Sequence, residues 1–238
     1  MSTRLLQQQT NLIEYLTSAA AIFGDQPNSP LDQALFGADS DRLRLEARFS
    51  FDKRLAKISS VFLRTFAIFK GDWGPILREF VDARPPMEKD RFSNARQFFC
   101  FLSNRWDNVQ MEPPWLLDVA ACELACAQVR AHEKVAESAI ADTVPGAVRC
   151  NPSAVLLRCN YDVRPVFEDG AGTGVKRDTL LVVFIPPQVD HLQICEVGGE
   201  VFDVLAACRQ WTDPGTLGLV RGEILVSDLA VRGLLEMR

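Results

Sequence analysis

The chain has 238 residues, 47% of them apolar and 24% charged, and carries a formal net charge of −5. That composition suits a soluble globular protein with material for two modest domains, and it offers no global basic field to attract nucleic acid or anionic lipid. The N-terminal MSTRLLQQQTNLIEYL has no signal-peptide core, the strongest apolar run (TLLVVFIPP, 179–187) is strand-length, and seven cysteines follow no pairing framework, so a cytoplasmic protein with reduced thiols and no membrane span is expected.

In chain order, helical periodicity comes first. Leu5, Leu12, Leu16, Ala20 and Phe23 form one stripe, with Ser2 and Thr3 as caps. Phe51, Leu55, Ile58, Phe62, Phe66 and Phe69 form a stronger one. Asp72 and Pro75 can start a short helix carrying Ile76, Leu77 and Phe80. Phe92, Ala95, Phe99, Leu102 and Trp106 make a further stripe, and Val119, Cys122, Cys126 and Val129 another. Composition then changes near residue 143: residues 1–142 hold 12 of 15 phenylalanines, and residues 143–238 hold 10 of 14 glycines and 15 of 21 valines. The stretch ADTVPGAVRCNPS (141–153) is the natural seam. Beyond it, 154–160, 179–185 and 191–197 read as strands. Gly198-Gly199 leads into a helix carrying Val201, Val204, Leu205, Cys208 and Trp211. Thr212 or Asp213 can cap a short second helix at Pro214, and a third follows to Gly233. The expected fold is α+β: a helical bundle over 1–142, then a winged-helix-like domain over 147–238 with three strands followed by three helices.

Few residues suggest catalysis. With only His132 and His191, no histidine-rich metal centre can be assembled. Cys122 and Cys126 are spaced i, i+4 but lie on an apolar stripe, where cysteine acts as a small hydrophobe. Cys150 and Cys159 adjoin Arg149 and Arg158, which could lower a thiol pKa, but no histidine accompanies them. The loop EDGAGTGVKRD (168–178) lacks the second glycine and the hydroxyl residue of a phosphate-binding loop and reads as a connection between strands. Asp118 and Glu123 alone do not make acid–base machinery. No catalytic residue, resident metal or cofactor is expected.

The last module is a candidate for recognition. From Asp190 to Arg238 it holds eight acids against four arginines, which opposes a DNA-reading role. If 191–197 ends the sheet, an extended peptide can add along its edge while Leu225, Leu229 and Leu234 of the last helix wall the groove. The helical half, with Trp73, Trp106 and Trp115 near Pro or Gly breaks, is expected to dock a partner through surface aromatics.

The stretches VGGEVFDVLAAC and SDLAVRGLLEMR resemble the precursor-peptide recognition domain of ribosomal peptide natural-product pathways. PPWLLDVAACELACAQ resembles the helical domain of partner proteins of multinuclear non-haem iron oxidases. The combination is similar to the TglI-like partner subunits of 3-thiaglutamate biosynthesis and, more distantly, to the MbnC-like partners of methanobactin pathways. The resemblance implies a non-catalytic subunit in a heterodimer with a TglH-like multinuclear iron oxidase. It further implies that iron resides in that partner, which would remove the β-carbon of a cysteine at the end of a carrier peptide. It places the leader against His191, Leu192, Gln193, Ile194, Cys195 and Glu196, beside Leu225, Asp228, Leu229, Arg232 and Leu234. The alternative from another class is a winged-helix transcriptional regulator.

Overall fold

The computed structural model describes residues 3–24, 39–86, 90–106, 111–132, 146–168, 172–217 and 222–238. Ser2, seam residues 141–145 and residues 169–171 of the glycine-rich loop lie outside the described residues. The fold is mixed α+β and divides into two compact units, Met1–Glu112 and Pro113–Arg238.

The first unit is helical: α1 (Thr3–Leu16), α2 (Ala19–Phe23), α3 (Ser40–Ser59), α4 (Leu63–Ile68), α5 (Trp73–Ala83) and α6 (Arg91–Trp106). Side-chain caps set several boundaries. The Ser18 hydroxyl accepts from the Ala21 amide at 3.2 Å to start α2, and Gly24, at φ +80°, ends it. Asp39 accepts from the Asp41 and Arg42 amides to start α3. Asp72 accepts from the Gly74 amide at 2.8 Å with Pro75 in the first turn of α5, as its sequence predicts.

Three expected stripes are corrected. The run Leu5–Phe23 breaks between α1 and α2, Leu5 is exposed, and the buried residues are Tyr15, Ala19, Ala21 and Ile22. The run Phe51–Phe69 is not one helix, because the chain turns between α3 and α4 with Phe62 fully buried in the corner. In α6 the core residue is Phe98, not Phe99. Its ring lies 5.0–5.8 Å from those of Phe62, Phe66 and Phe80. Trp106 is buried, contrary to its expected surface position, and the half-buried Trp73 packs within 4.6 Å of Phe66 and Phe69.

The second unit opens with α7 (Leu116–His132), which composition had assigned to the helical half. It continues with β1 (Val148–Cys150), β2 (Val155–Asp162), α8 (Arg164–Glu168), β3 (Val175–Phe184) and β4 (Gln193–Glu196). Then come α9 (Gly199–Ala207), a 3₁₀ turn (Pro214–Leu217), α10 (Gly222–Val231) and β5 (Leu235–Met237). Strands β2, β3 and β4 form an antiparallel sheet in that order, and β1 pairs separately with β5. Sheet residues alternate between two apolar layers. Val155, Leu157, Val183 and Ile194 pack on Ala125, Cys126 and Val129 of α7. Leu156, Val182, Phe184 and Cys195 pack on the opposite side with Val204, Leu205, Val226 and Leu229 of α9 and α10. A sheet apolar on both faces needs a cover on each, and α7 is one of the two. Trp115, just before α7, packs on Gly174, where a Cβ would come within 2.4 Å of the indole.

Gly233 ends α10 in the left-handed conformation, at φ +76°. Its amide donates to the Ala230 carbonyl, and the Leu234 amide donates to that of Leu229, a Schellman pair that turns Leu234 into the core and aims β5 at β1. A Cβ on Gly233 would also lie 2.3 Å from Pro187. Gly146 has a similar φ of +86° but open space around it. Gly233→Ala is therefore expected to lower the urea midpoint by more than Gly146→Ala. The latter should carry only the backbone cost of roughly 1–2 kcal/mol. Equal shifts would show that the Pro187 contact does not matter.

Candidate functional site

Strand β4 pairs with β3 on one side only, so its other side is an edge of the sheet among the described residues. The Val197 amide donates to the Leu180 carbonyl at 2.9 Å, and the register continues as Val182↔Cys195 and Phe184↔Gln193. In an antiparallel ladder these pairs spend their N–H and C=O groups inward, so those of Ile194 and Glu196 point outward. An added strand would find its backbone donors and acceptors there.

Beside this edge runs a groove of about 470 Å³ between β4 and α10. Gln193, Cys195 and Glu196 line it from the strand, and Leu225, Asp228, Leu229, Arg232 and Leu234 line it from the helix side. Eight of the eleven residues expected at a peptide site therefore meet around one depression. The other three are elsewhere: Leu192 and Ile194 turn their side chains to the α7 layer, and His191 is exposed ahead of β4. Period-2 alternation is the reason, since neighbours on a strand face opposite ways. Val182 and Phe184, not singled out from the sequence, complete the floor with Val201, which the sequence placed on the apolar face of its helix. Their signal was the alternation of TLLVVF read against α10. Leu229 and Leu234 are only 3% and 4% exposed, so they belong to the core as much as to the groove, whereas Leu225 is half-buried and accessible. Arg232 donates to Asp228 at 2.9 Å one turn away, so this pair at the end of the last helix is neutralised.

The far end of the edge is fixed by charge. Arg164 reaches Asp162 at 2.7 Å and Glu196 at 2.6 Å, and Arg177 reaches both acids at 2.7 Å. The four side chains close a ring of balanced charge that ties the last residue of β4 to β2, β3 and α8. The arginines, Arg164 first, hold the Asp162 carboxyl well below the usual carboxylate range, and Arg177 with Arg164 lowers that of Glu196.

The remaining sequence candidates have structural positions. Burial pushes the Cys150 thiol up to about 11, so Arg149 does not activate it. Arg149 pairs with Glu236 across β1 and β5 and stacks on Trp211 at 4.7 Å. Cys122 is raised by its hydrogen bond to Cys159 and by burial, and Cys195 by burial; all favour the inert thiol. Arg158 lies over Phe202 and reaches Asp203, away from Cys159. The Asp118 carboxylate accepts from the Tyr161 amide at 2.9 Å beside the irregularity in β2, and Glu123 is buried. In the glycine-rich loop, Gly172 abuts the Pro165 backbone, Lys176 lies over the Tyr161 ring and Arg177 belongs to the charge ring. Among the described residues no three His, Cys, Asp or Glu side chains are placed to hold a metal, and no helix is long and apolar enough to cross a membrane.

Depressed carboxyl pKa values stabilise the fold above the unfolded-state pKa, about 4, and that contribution is lost as pH falls through the folded-state values. Asp118, raised by burial, acts in the opposite sense. Comparing the chain with its Asp162→Asn variant cancels Asp118. The stability difference from urea unfolding should be present at pH 7 and shrink steadily below pH ~4. A difference that is constant with pH would remove the charge ring from the account.

Compared with models of protein families and with curated proteins, the chain gives no match.

Proposed function

We propose that the chain is a non-catalytic, substrate-presenting subunit of the cytoplasm whose second unit is a winged-helix-like recognition module for the leader of a ribosomally made carrier peptide. The observation that carries this reading is the juxtaposition of an outward backbone edge at Ile194 and Glu196 with an apolar groove floored by Val182, Phe184 and Cys195. An extended leader adds to β4 as a fourth strand, and its alternate side chains seat against α10. Each added backbone bond contributes only about 0.5–1.5 kcal/mol net, so the groove supplies the selectivity.

The iron-dependent chemistry, β-carbon removal from a C-terminal cysteine, belongs on this reading to a multinuclear oxidase partner of the TglH-like kind. Of the tryptophans, Trp106 is buried and Trp73 and Trp115 are half-buried. Leu6, Ile13, Leu45 and Phe49, on α1 and α3 and each more than half exposed, support a docking face on the helical unit in their place. A winged-helix regulator would need a cationic recognition helix; among the described residues α10 carries no base, and Arg232 just after it is paired to Asp228.

Leu225→Asp places a charge in the groove without disturbing a fully buried site. It should weaken binding of a fluorescently labelled leader several-fold in anisotropy titrations, with an unchanged melting temperature. N-methylation of alternate leader amides should weaken binding in one alternation only. If all N-methyl peptides bind like the parent, strand addition is wrong; if the chain retards random DNA in a salt-sensitive way, the regulator reading replaces it.

Co-expression with the oxidase should yield a heterodimer on gel filtration that Ile13→Asp with Phe49→Asp dissociates. Separate elution of the two native proteins at micromolar concentration would refute the partnership.

A further inference from the structure

Around the groove of the second unit, arginine and carboxylate are matched. Arg232 pairs with Asp228 of α10, and Arg158 of β2 reaches Asp203 of α9. Arg164 and Arg177 close their ring with Asp162 and Glu196 at the end of β4. Within these pairs the positive and negative charges cancel.

Asp190 and Glu200 stand outside that balance. Asp190 follows Val189 just ahead of β4, and Glu200 precedes Val201 just beyond it; both valines line the groove. The two carboxylates therefore flank the edge strand at opposite ends. Both side chains are exposed, and neither meets a base among the described residues. Glu200 also suits the amide end of α9, in whose first turn it lies, whereas Asp190 belongs to no helix. Between them the floor is apolar, built from Val182, Phe184 and Cys195. A peptide lying along β4 thus meets apolar contacts in the middle and negative charge at each end.

We infer that the groove selects a cationic leader, one whose apolar alternation seats against α10 and whose flanking lysines or arginines face Asp190 and Glu200. This inference rests on the strand-addition reading above and adds the charge of the captured segment. An acidic leader would bring like charges together at both ends, and a neutral one would leave both carboxylates without partners. Exposed pairs each stabilise little, so they act on discrimination and encounter rate more than on total affinity.

The test is mRNA display of a random peptide library on the immobilised full chain, followed by anisotropy titration of the most enriched peptides. Peptides that use the groove are recognised by their loss of binding to the Leu225→Asp variant. Among these, lysine and arginine should be enriched on both flanks of an apolar alternation. Replacing the flanking bases by serine should weaken binding several-fold at low salt, and the difference should shrink at high salt. The chain's net charge of −5 attracts cations everywhere, so a second variant separates the groove ends from that background. Asp190→Asn with Glu200→Gln changes only exposed side chains and should leave the melting temperature unchanged. It should weaken the basic peptides by a similar factor and leave the serine-flanked ones as they were. Groove-dependent peptides with neutral or acidic flanks, or basic peptides that hold the double variant at full affinity, would overturn the inference and leave strand addition intact. If no peptide depends on the groove, both fall.

Discussion

The second unit depends on a sheet that is apolar on both faces. Val182 and Phe184 point one way from β3, Leu181 and Val183 the other, and all four are buried. Neither face tolerates water, so α7 must cover one and α9 with α10 the other. Once both faces are covered, the remaining unsatisfied surface of the sheet is an edge. At the β4 side that edge adjoins a groove, because α10 packs across the floor without closing over the strand. Exposed sheet edges invite another strand, which natural proteins either block or use.

Polar interactions then fix the geometry of that edge. The ring of Asp162, Arg164, Arg177 and Glu196 holds one end of β4, and Gly233 against Pro187 holds the end of α10 to the β3–β4 connection. Gln188 adds a bond to the Val231 carbonyl at 3.2 Å. Strand and helix are thus tied at both ends of the groove, which lowers the ordering cost an incoming peptide must overcome. The ion pairs contribute less through raw energy than through this positioning, since exposed pairs stabilise little.

The helical unit is organised by aromatic packing around Phe98, with Arg54 inserted at its margin. Its cost is lowered by three hydrogen bonds and a ring face, yet its charge stays uncompensated within the described fold. The charge ring of the second unit shows the contrast: there every guanidinium meets a carboxylate and both acids titrate low.

Local chemistry was legible in the sequence. Asp72 with Pro75, Asp213 with Pro214, the Gly198-Gly199 joint and the Gly233 stop each act through their immediate neighbours, so they could be read without a fold. The three sheet strands were legible for the same reason, and so was the inert character of the apolar cysteines. What tertiary structure alone decided was partnership. The last phenylalanine of the helical half is Phe101, and α7 is built from Leu, Ala, Cys and Val, a smooth face that suits a sheet; composition averaged over 1–142 concealed this. The off-by-one core residue Phe98, the burial of Trp106 and the inward turn of Leu192 and Ile194 followed from which surface each element met. Periodicity gives a stripe, but only packing says what lies opposite it, and the same holds for Arg54, whose three acceptors stand 30 to 43 positions away.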